Sequence, residues 1–536
     1  MRFAHTQGLT RPTGLAQPDA TNHEGLPAFS ENLQQSVARV ALTGVLKDGF
    51  YVKEAEQTQE MVDLCRRAAQ DYPGFLLSAA KVSRRANFKL FPKLAVAALV
   101  STLEPDGPGG PGPRWTPGFE AQVVDLLQTY SAGQLLELAL VFKGKVFGRG
   151  LGRRAQRVLG RALASMKPHR LEDMTLSDRD DLRRLLRLVH PVGLDVLQAA
   201  PFRYVLGDDR VAATPRQAAL EALKDGVDDE MAASLIGFNH LPFNVTKGIV
   251  PAGRQVVWKA ILGEMSPLQV LLNLRSLDEK GVITPEQLDQ FLAAQDLGRL
   301  RLVPHDVLRP IAFAPNRFRE PLVAFLSRLA ARPLPGLEGK RVGVALDISP
   351  SMADAYQEDG ASCWYLAATM ATPILASCAD RHLVFFDNLP HPEGGDLQPS
   401  PLHYGRRPAM RLPYLKGCPP EAILHNLLPV DVNQTNGTSI GDAIRWFHDQ
   451  APVDVLFLFT DEQQNGQIRG LDQWRGYLRG VNGRARLVVV NVSNTKWHMA
   501  HDGADRVTVI QAITPLVYQQ FERFDETPVE LIRRLG

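Results

Sequence analysis

Between residues 32 and 335, apolar side chains recur at three- and four-residue spacing, the mark of helices with one buried face. The clearest runs are 54–69, 93–103, 119–130, 134–142 and 254–262. These helices are short, their connections are short, and β-branched runs are scarce. A domain of about 300 residues built this way points to an α-solenoid of stacked HEAT-like pairs, although no strict repeat period is visible. One stretch breaks the pattern: PDGPGGPGPRWTPG at 105–118 excludes regular structure. It reads either as an interdomain linker or as a loop within one helical domain. After residue 335 the pattern changes. Apolar runs at 341–348 (RVGVALDI), 382–387, 453–460 (VDVLFLFT), 485–492 (ARLVVVNV) and 506–513 alternate with helical stretches at 363–379, 421–428 and 440–449. Near-continuous apolar strands between helices predict a parallel sheet covered on both faces, a Rossmann-like α/β domain. Pro333, Pro335 and Gly336 mark the boundary. The expected organisation is multidomain: a tail over 1–30, an all-α domain over 31–336 and an α/β domain over 337–536.

A chain of 536 residues is long enough for two cores. Its net charge of +2 hides an asymmetry: residues 338–536 carry −5 and the rest +7, so the two parts are expected to meet different partners. Cys65, Cys363, Cys378 and Cys418 form no CxxC pair, which argues against a zinc knuckle or disulfide framework. The first 26 residues have no apolar core of a secretory signal, and the longest apolar runs are too short to span a bilayer. A soluble cytoplasmic protein with no membrane partner is expected.

The first strand of the α/β domain ends in Asp347-Ile348-Ser349-Pro350-Ser351. Ligands of open α/β sheets collect at the carboxyl ends of strands, where Asp347, Ser349 and Ser351 offer a carboxylate and two hydroxyls. Thr438, just before the helix starting at Ile440, and Asp461, which ends LFLFTD, are expected at the same edge. An oxygen-only donor set suits a hard divalent cation, Mg²⁺ first, with Ca²⁺ or Mn²⁺ as alternatives. Each piece also has an ordinary explanation, since Asp at a strand end is often a turn residue and Thr438 or Ser439 a helix cap.

The helical domain carries an acid-free stretch. Lys143, Lys145, Arg149, Arg153, Arg154, Arg157, Arg161, Lys167 and Arg170 occur with no Asp or Glu among them. Arg149, Arg153, Arg157 and Arg161 are four apart and predict one cationic ridge, with Ala155, Val158, Leu159, Ala162 and Leu163 on the buried face. A ridge of one sign repels itself, by a few tenths of a kcal/mol per pair, so a polyanionic partner is expected. A second basic helix is capped by Ser177 with Asp180 at N3, stops at Pro191, and presents Arg183, Arg184, Arg187 and His190. A third cluster comprises Lys81, Arg84, Arg85, Lys89 and Lys93, with Phe88 and Phe91 read as core.

These segments resemble the TROVE domain of Ro autoantigen-type RNA-binding proteins, the bacterial members included. The resembling residues are GRGLGRR at 148–154, DDLRRLLRLVHP at 180–191, VWKAIL at 257–262, MSPLQVLLNL at 265–274 and GKRVGVALDISPSM at 339–352. Asp347, Ser349, Ser351, Thr438 and Asp461 resemble the five coordinating positions of the metal-ion-dependent adhesion site of a von Willebrand factor A domain. The resemblance implies a ring of HEAT-like helices closed by that adhesion-type domain. It implies small structured Y RNA on the outer surface, at Lys143 or Lys145, Arg149, Arg153 and His190. Single-stranded 3′ ends of misfolded or immature RNA would enter the central hole, and a 3′-to-5′ exoribonuclease is an implied partner in RNA quality control. Three departures stand out: the 105–118 insertion, MSP where MP is usual, and Asn436-Gly437-Thr438 where GGT is usual.

Three functions compete. The first is a non-catalytic RNA-binding protein using Lys143, Lys145, Arg149, Arg153, Arg154, Arg157, Arg187, His190, Arg84, Arg85 and Lys89. The second is a metal-dependent protein adaptor whose adhesion site captures an acidic partner side chain. The third is an enzyme. Against it, no second carboxylate follows Asp347 two residues on, Ser349 is a poor general acid, and no P-loop or Cys/His pair is present. The expectation is that the protein is not an enzyme.

Overall fold

The computed structural model describes residues 20–21, 27–28, 31–43, 54–105, 114–148, 150–191, 202–207, 214–297, 302–353, 362–397, 410–430, 432, 437–461, 470–493, 504–510 and 516–536. Helices fill the first part: α1 (Leu33–Thr43), α2 (Glu54–Asp71), α3 (Pro73–Arg85), α4 (Leu90–Thr102), α5 (Pro117–Leu127), α6 (Ala132–Lys143), α7 (Arg153–Ala164), α8 (Pro168–Ser177) and α9 (Arg179–Val189). They continue with α10 (Pro215–Asp225), α11 (Asp229–Asn239), α12 (Gln255–Gly263), α13 (Pro267–Leu272), α14 (Leu274–Glu279), α15 (Pro285–Ala293), α16 (His305–Phe313) and α17 (Arg319–Ala330). Four of these starts share one local device. Ser131, Thr214, Ser266 and Thr284 each close a reciprocal capping box with the Gln three residues on, which satisfies two end donors and stabilises each start by about 1 kcal/mol. Ser266 is the extra residue of the MSP segment, so that departure supplies a helix cap. Of the 105–118 loop, 106–113 lie outside the described residues. Its flanks meet, Glu104–Pro105 pairing in parallel with Arg114–Trp115.

The second part holds a six-stranded sheet among the described residues: β1 (Val342–Asp347), β2 (Arg381–Phe386), β3 (Pro390–Pro392), β4 (Val455–Thr460), β5 (Arg486–Asn491) and β6 (Val507–Ile510), in the order β6-β5-β4-β1-β2-β3. Five strands are parallel, but β3 runs antiparallel to β2, so the expected all-parallel sheet is mixed. The connection at 387–389 is too short for a crossover and permits only a hairpin. Pro390 and Pro392 are tolerated there because β3 is an edge strand.

Both faces of the sheet are covered by α18 (Cys363–Ser377), α19 (Pro420–Leu427), α20 (Ile440–Gln450), α21 (Gly470–Gly480), α22 (Val517–Glu522) and α23 (Pro528–Leu535). Ala345, Leu456, Leu458, Leu487 and Val489 face a core shared with Phe447, Trp474 and Tyr477 of α20 and α21. The alternate residues Val344, Leu346, Phe457, Phe459, Val488 and Val490 belong to a second core. That core is continuous with the helical part, from Val37 of α1 to Ile532 of α23. Helix α23 returns to α1 and α3. Arg533 donates to Gln34 at 2.9 Å, Lys81 Nζ to the Gly536 carbonyl at 3.3 Å, and Arg85 Nη1 to the Leu535 carbonyl.

Gly343 of β1 faces the first of these cores without room for a side chain. A Cβ there would stand 2.7 Å from Phe447 Cε1 and 3.0 Å from Leu456 Cδ1. Gly343→Ala is expected to cost about 1–3 kcal/mol, read as a lower denaturant midpoint with unchanged slope.

Candidate metal pocket and nucleic-acid interface

The carboxyl edge of the sheet gathers the five expected oxygen-bearing residues by topology. Strand β1 lies between β4 and β2, so the ends of three neighbouring strands converge there. Asp347 ends β1 and is fully buried. Its Oδ1 accepts from the Ser349 backbone N–H at 2.9 Å, and its Oδ2 accepts from Thr460 Oγ1 at 2.7 Å. Ser349 and Ser351 turn their hydroxyls to each other at 3.2 Å. Asp461 follows β4 and is buried. Thr438, also buried, is delivered by a segment pinned to the end of β2, where the Ser439 N–H donates to the Asp387 carbonyl at 2.7 Å. Ser439 is the N-cap of α20, but its hydroxyl goes to Asp442, which leaves the neighbouring threonine to the sheet edge.

Burial pushes the Asp347 carboxyl up to about 8, and the negative charge of Asp461 adds to the rise. Two buried carboxylates held together are costly in water-free surroundings unless one keeps its proton or a cation joins them. Among the described residues no three His, Cys, Asp or Glu converge, so a thiolate or imidazole centre is a poor match for this edge. Two carboxylates with hydroxyls from serine and threonine fit a hard cation. Thr460, which sequence reasoning left out, orients Asp347; its position one residue past Phe459, which pairs with Leu346, was the available signal.

The basic stretches divide. Helix α7 starts at Arg153 with Gly152 as its N-cap, so the expected ridge does not extend back to Arg149, which lies outside the described residues. The ridge is also not free of acid. Glu120 of α5, buried, accepts from Arg157 Nη2 at 2.7 Å, Arg161 Nη1 at 2.6 Å and Trp115 Nε1 at 2.7 Å. Burial alone would raise this carboxyl, but the bonds from Arg157, Trp115 and Arg161 override it and hold it at about 2. Arg154 donates to the Val100 and Leu103 carbonyls at 3.1 and 2.5 Å and lies over the Trp115 ring. Arg154 is therefore engaged within the fold, while Arg157 is held by Glu120 with its side chain still more than half exposed.

The third cluster is partly engaged as well. Arg84 donates to the Thr129 carbonyl at 2.5 Å and lies over the Tyr130 ring, while Arg85 binds the end of α23. Lys93 is buried against Glu137. Phe91 is core, and Lys89, the N-cap of α4, remains exposed. On the second basic helix, Asp178 rather than Ser177 occupies the N-cap and makes no side-chain cap bond. Arg183 turns to the Val205 carbonyl at 2.8 Å.

Lys143, Lys145, Arg153, Arg184, Arg187 and His190 are exposed and make no ion pair among the described residues, whereas Arg157 and Arg161 are exposed with their guanidiniums held by Glu120. Helices α6 and α9 pack along one another with their first turns together; a Cβ on Gly133 would meet the Asp181 carboxylate at 3.0 Å. Their last turns, with Lys143, Arg187 and His190, therefore share one end. Helix α7 joins them there: Gln156 Nε2 donates to the Leu188 carbonyl at 3.3 Å, and Gly160 lets α7 approach Pro191. Arg153 is one turn before Gln156, so it borders the same surface. His190 caps α9 in the left-handed region at φ 48° and Lys145 turns the chain at φ 56°.

No protein-family model matches the sequence, and no curated protein matches it. Among solved structures, the crystal structure of the Ro (RSR) protein of Deinococcus radiodurans is similar over 92% of this chain and 100% of that one, with a TM-score of 0.63 at 19% identity. This chain has the Ro fold. At 92% of this chain, the match spans most of both the helical part and the sheet described above. Among the described residues no helix is long and apolar enough to cross a membrane.

Glu120 gives a pH signature. Its folded value near 2 lies below the ordinary 4.5, so its stabilisation is complete above about pH 4.5 and is lost as pH falls toward 2. Glu120→Gln is expected to flatten the fall of Tm over that interval, and equal slopes in both proteins would contradict the hub. For the pocket, Mg²⁺ added to EDTA-treated protein is expected to raise Tm by several degrees at saturating concentrations. Asp347→Asn is expected to abolish that rise.

Proposed function

We propose that the protein is a non-catalytic, Ro-type RNA-binding protein acting in RNA quality control or processing. The helical part forms a HEAT-like ring closed by the sheet domain, which is of the von Willebrand factor A adhesion type. A small structured Y-type RNA lies on the outer surface made by α6, α7 and α9. Single-stranded 3′ ends of misfolded or immature RNA enter the central hole, and a 3′-to-5′ exoribonuclease acts on what is held there. The supporting observation is the separation of cations: Lys143, Lys145, Arg153, Arg187 and His190 are exposed around adjoining helix ends with no ion pair among the described residues, while the guanidiniums of Arg154, Arg157 and Arg183 are taken by Leu103, Glu120 and Val205. Same-sign charge left at a surface favours a phosphate backbone, whose binding releases counterions.

In this reading the metal pocket binds and performs no reaction. Asp347, Ser349, Ser351, Thr438 and Asp461 would hold Mg²⁺, or Ca²⁺ or Mn²⁺, whose charge offers a seat to an acidic side chain of a partner. The chain's own part is to keep Asp347 aimed at the edge through Ser349 and Thr460, and to bury both carboxylates so that their charge is poorly hydrated.

The test is salt dependence of RNA affinity. Each phosphate contact removed lowers the slope of log K against log salt by about 0.7–0.9. Replacing Lys143, Arg153 and Arg187 by Ala together is expected to lower it by about 2–3. His190→Asn is the suitable partner variant, because Asn tolerates the left-handed cap. Arg154→Ala is expected instead to lose about 1–3 kcal/mol of stability through its carbonyl bonds with the slope retained. A slope unmoved by the triple variant would overturn the surface. Protein captured in nuclease-treated extract, and released by EDTA or Asp347→Asn, would point to the adaptor role.

A further inference from the structure

The acidic sheet half contains one concentrated patch of the opposite sign. Arg486 opens β5, and the register of Leu487 opposite Val507 sets it beside Arg506, the residue before β6. Arg506 Nε donates to the Ala485 carbonyl at 3.0 Å, which ties its stem to the turn carrying Arg484. Arg484 is exposed, and Arg486 and Arg506 are half-buried. Burial, then the charges of Arg486 and Arg484, hold the Arg506 guanidinium below its usual range, so the three positive charges act on one another.

Two carboxylates are adjacent, and both are engaged elsewhere. Asp454, whose carbonyl accepts from the Arg486 N–H at 3.0 Å, holds Arg341 and Asn482 with its side chain. Asp505, next in sequence to Arg506, takes Arg475 at 2.8 Å. None of the three arginines has a carboxylate partner among the described residues. A fold that keeps three guanidiniums together, with local acids committed to other cations, retains a repulsion that an external oxyanion would relieve.

We infer that Arg484, Arg486 and Arg506 form a second phosphate-binding surface, at the end of the sheet opposite the metal pocket, which takes the backbone of an RNA chain. This rests on the RNA-binding reading but uses a different part of the molecule. Arginine forks match phosphate oxygens in paired hydrogen bonds. Adjacent strands space such side chains about 4.8 Å apart, close enough for two to share one phosphate. RNA is favoured over an acidic polypeptide because the patch lacks apolar anchors. Among the described residues the exposed large hydrophobics, such as Phe238, Leu389 and Tyr414, lie on other elements. Protein interfaces centre on such anchors, whereas phosphate-backbone binding needs none.

The test uses the full chain with a fluorescein-labelled oligouridylate and, separately, labelled oligoglutamate, each titrated across a salt series. Arg484→Gln, Arg486→Gln and Arg506→Gln together are expected to weaken oligouridylate binding several-fold and to lower the salt slope by about 2, at about 0.7 per single-strand contact. An unchanged slope overturns the inference. Oligoglutamate bound as tightly as oligouridylate, and lost in the same variant, overturns it in favour of an acidic polypeptide. If the triple variant is unfolded through loss of the Arg506–Ala485 bond, the Arg484→Gln, Arg486→Gln double variant decides on an expected fall of about 1.4. The Arg153→Gln, Arg187→Gln variant runs in parallel. A change there with none in the sheet variant removes this inference and leaves the proposed function standing; the reverse removes the α7–α9 surface and leaves this one.

Discussion

Docking of α23 on α1 and α3 joins the last helix of the sheet half to the first helices of the chain, and other features follow from it. Because the two meet, one apolar core runs from Val37 through a sheet face to Ile532, and the helical part gains a partner that its own short helices could not provide. The contact also consumes charge. Arg85 and Lys81 donate to the carbonyls that end α23, where a helix terminus leaves acceptors without partners and carries partial negative charge. A cluster that looks like an anion site along the sequence thus serves as a C-terminal cap for a distant helix.

Glu120 does for the basic ridge what the end of α23 does for Arg85. One buried carboxylate, receiving bonds from Arg157, Arg161 and Trp115, ties two members of an apparent same-sign ridge, each still half-exposed, into one ion cluster. The logic of self-repulsion is sound, but it applies to the charges left after tertiary neutralisation. On α7 that leaves Arg153 exposed without an ion pair among the described residues; around the ends of α6 and α9 it leaves Lys143, Arg187 and His190. In the sheet half, Arg484, Arg486 and Arg506 are among the cations left by the same subtraction, and they lie together.

The metal pocket obeys a different constraint. Its parts arrive from strand ends that the parallel topology forces to one edge, with β1 between β2 and β4. Register then sets Thr460 against Asp347, and burial beside Asp461 raises the Asp347 carboxyl. None of this needs long-range tuning, because the sheet geometry alone brings the donors together.

The sequence by itself determined the helical character of the first part, the alternation of strands and helices in the second, and which residues end the strands at the sheet's carboxyl edge. These depend on local periodicity, on Pro and Gly punctuation and on which residues end strands. Even the division into two cores is implicit in a strand buried on both faces, where Val344 and Ala345 turn to opposite sides. Helix starts are equally local, since the Ser266 and Thr284 boxes need only a Gln three residues on. Tertiary structure alone decided which arginines are available, since Glu120 lies 37 residues from Arg157 and Leu535 lies 450 from Arg85. It also decided that β3 runs antiparallel. Charge is neutralised by whatever the fold brings within a few ångströms, and distance along the chain carries no record of that.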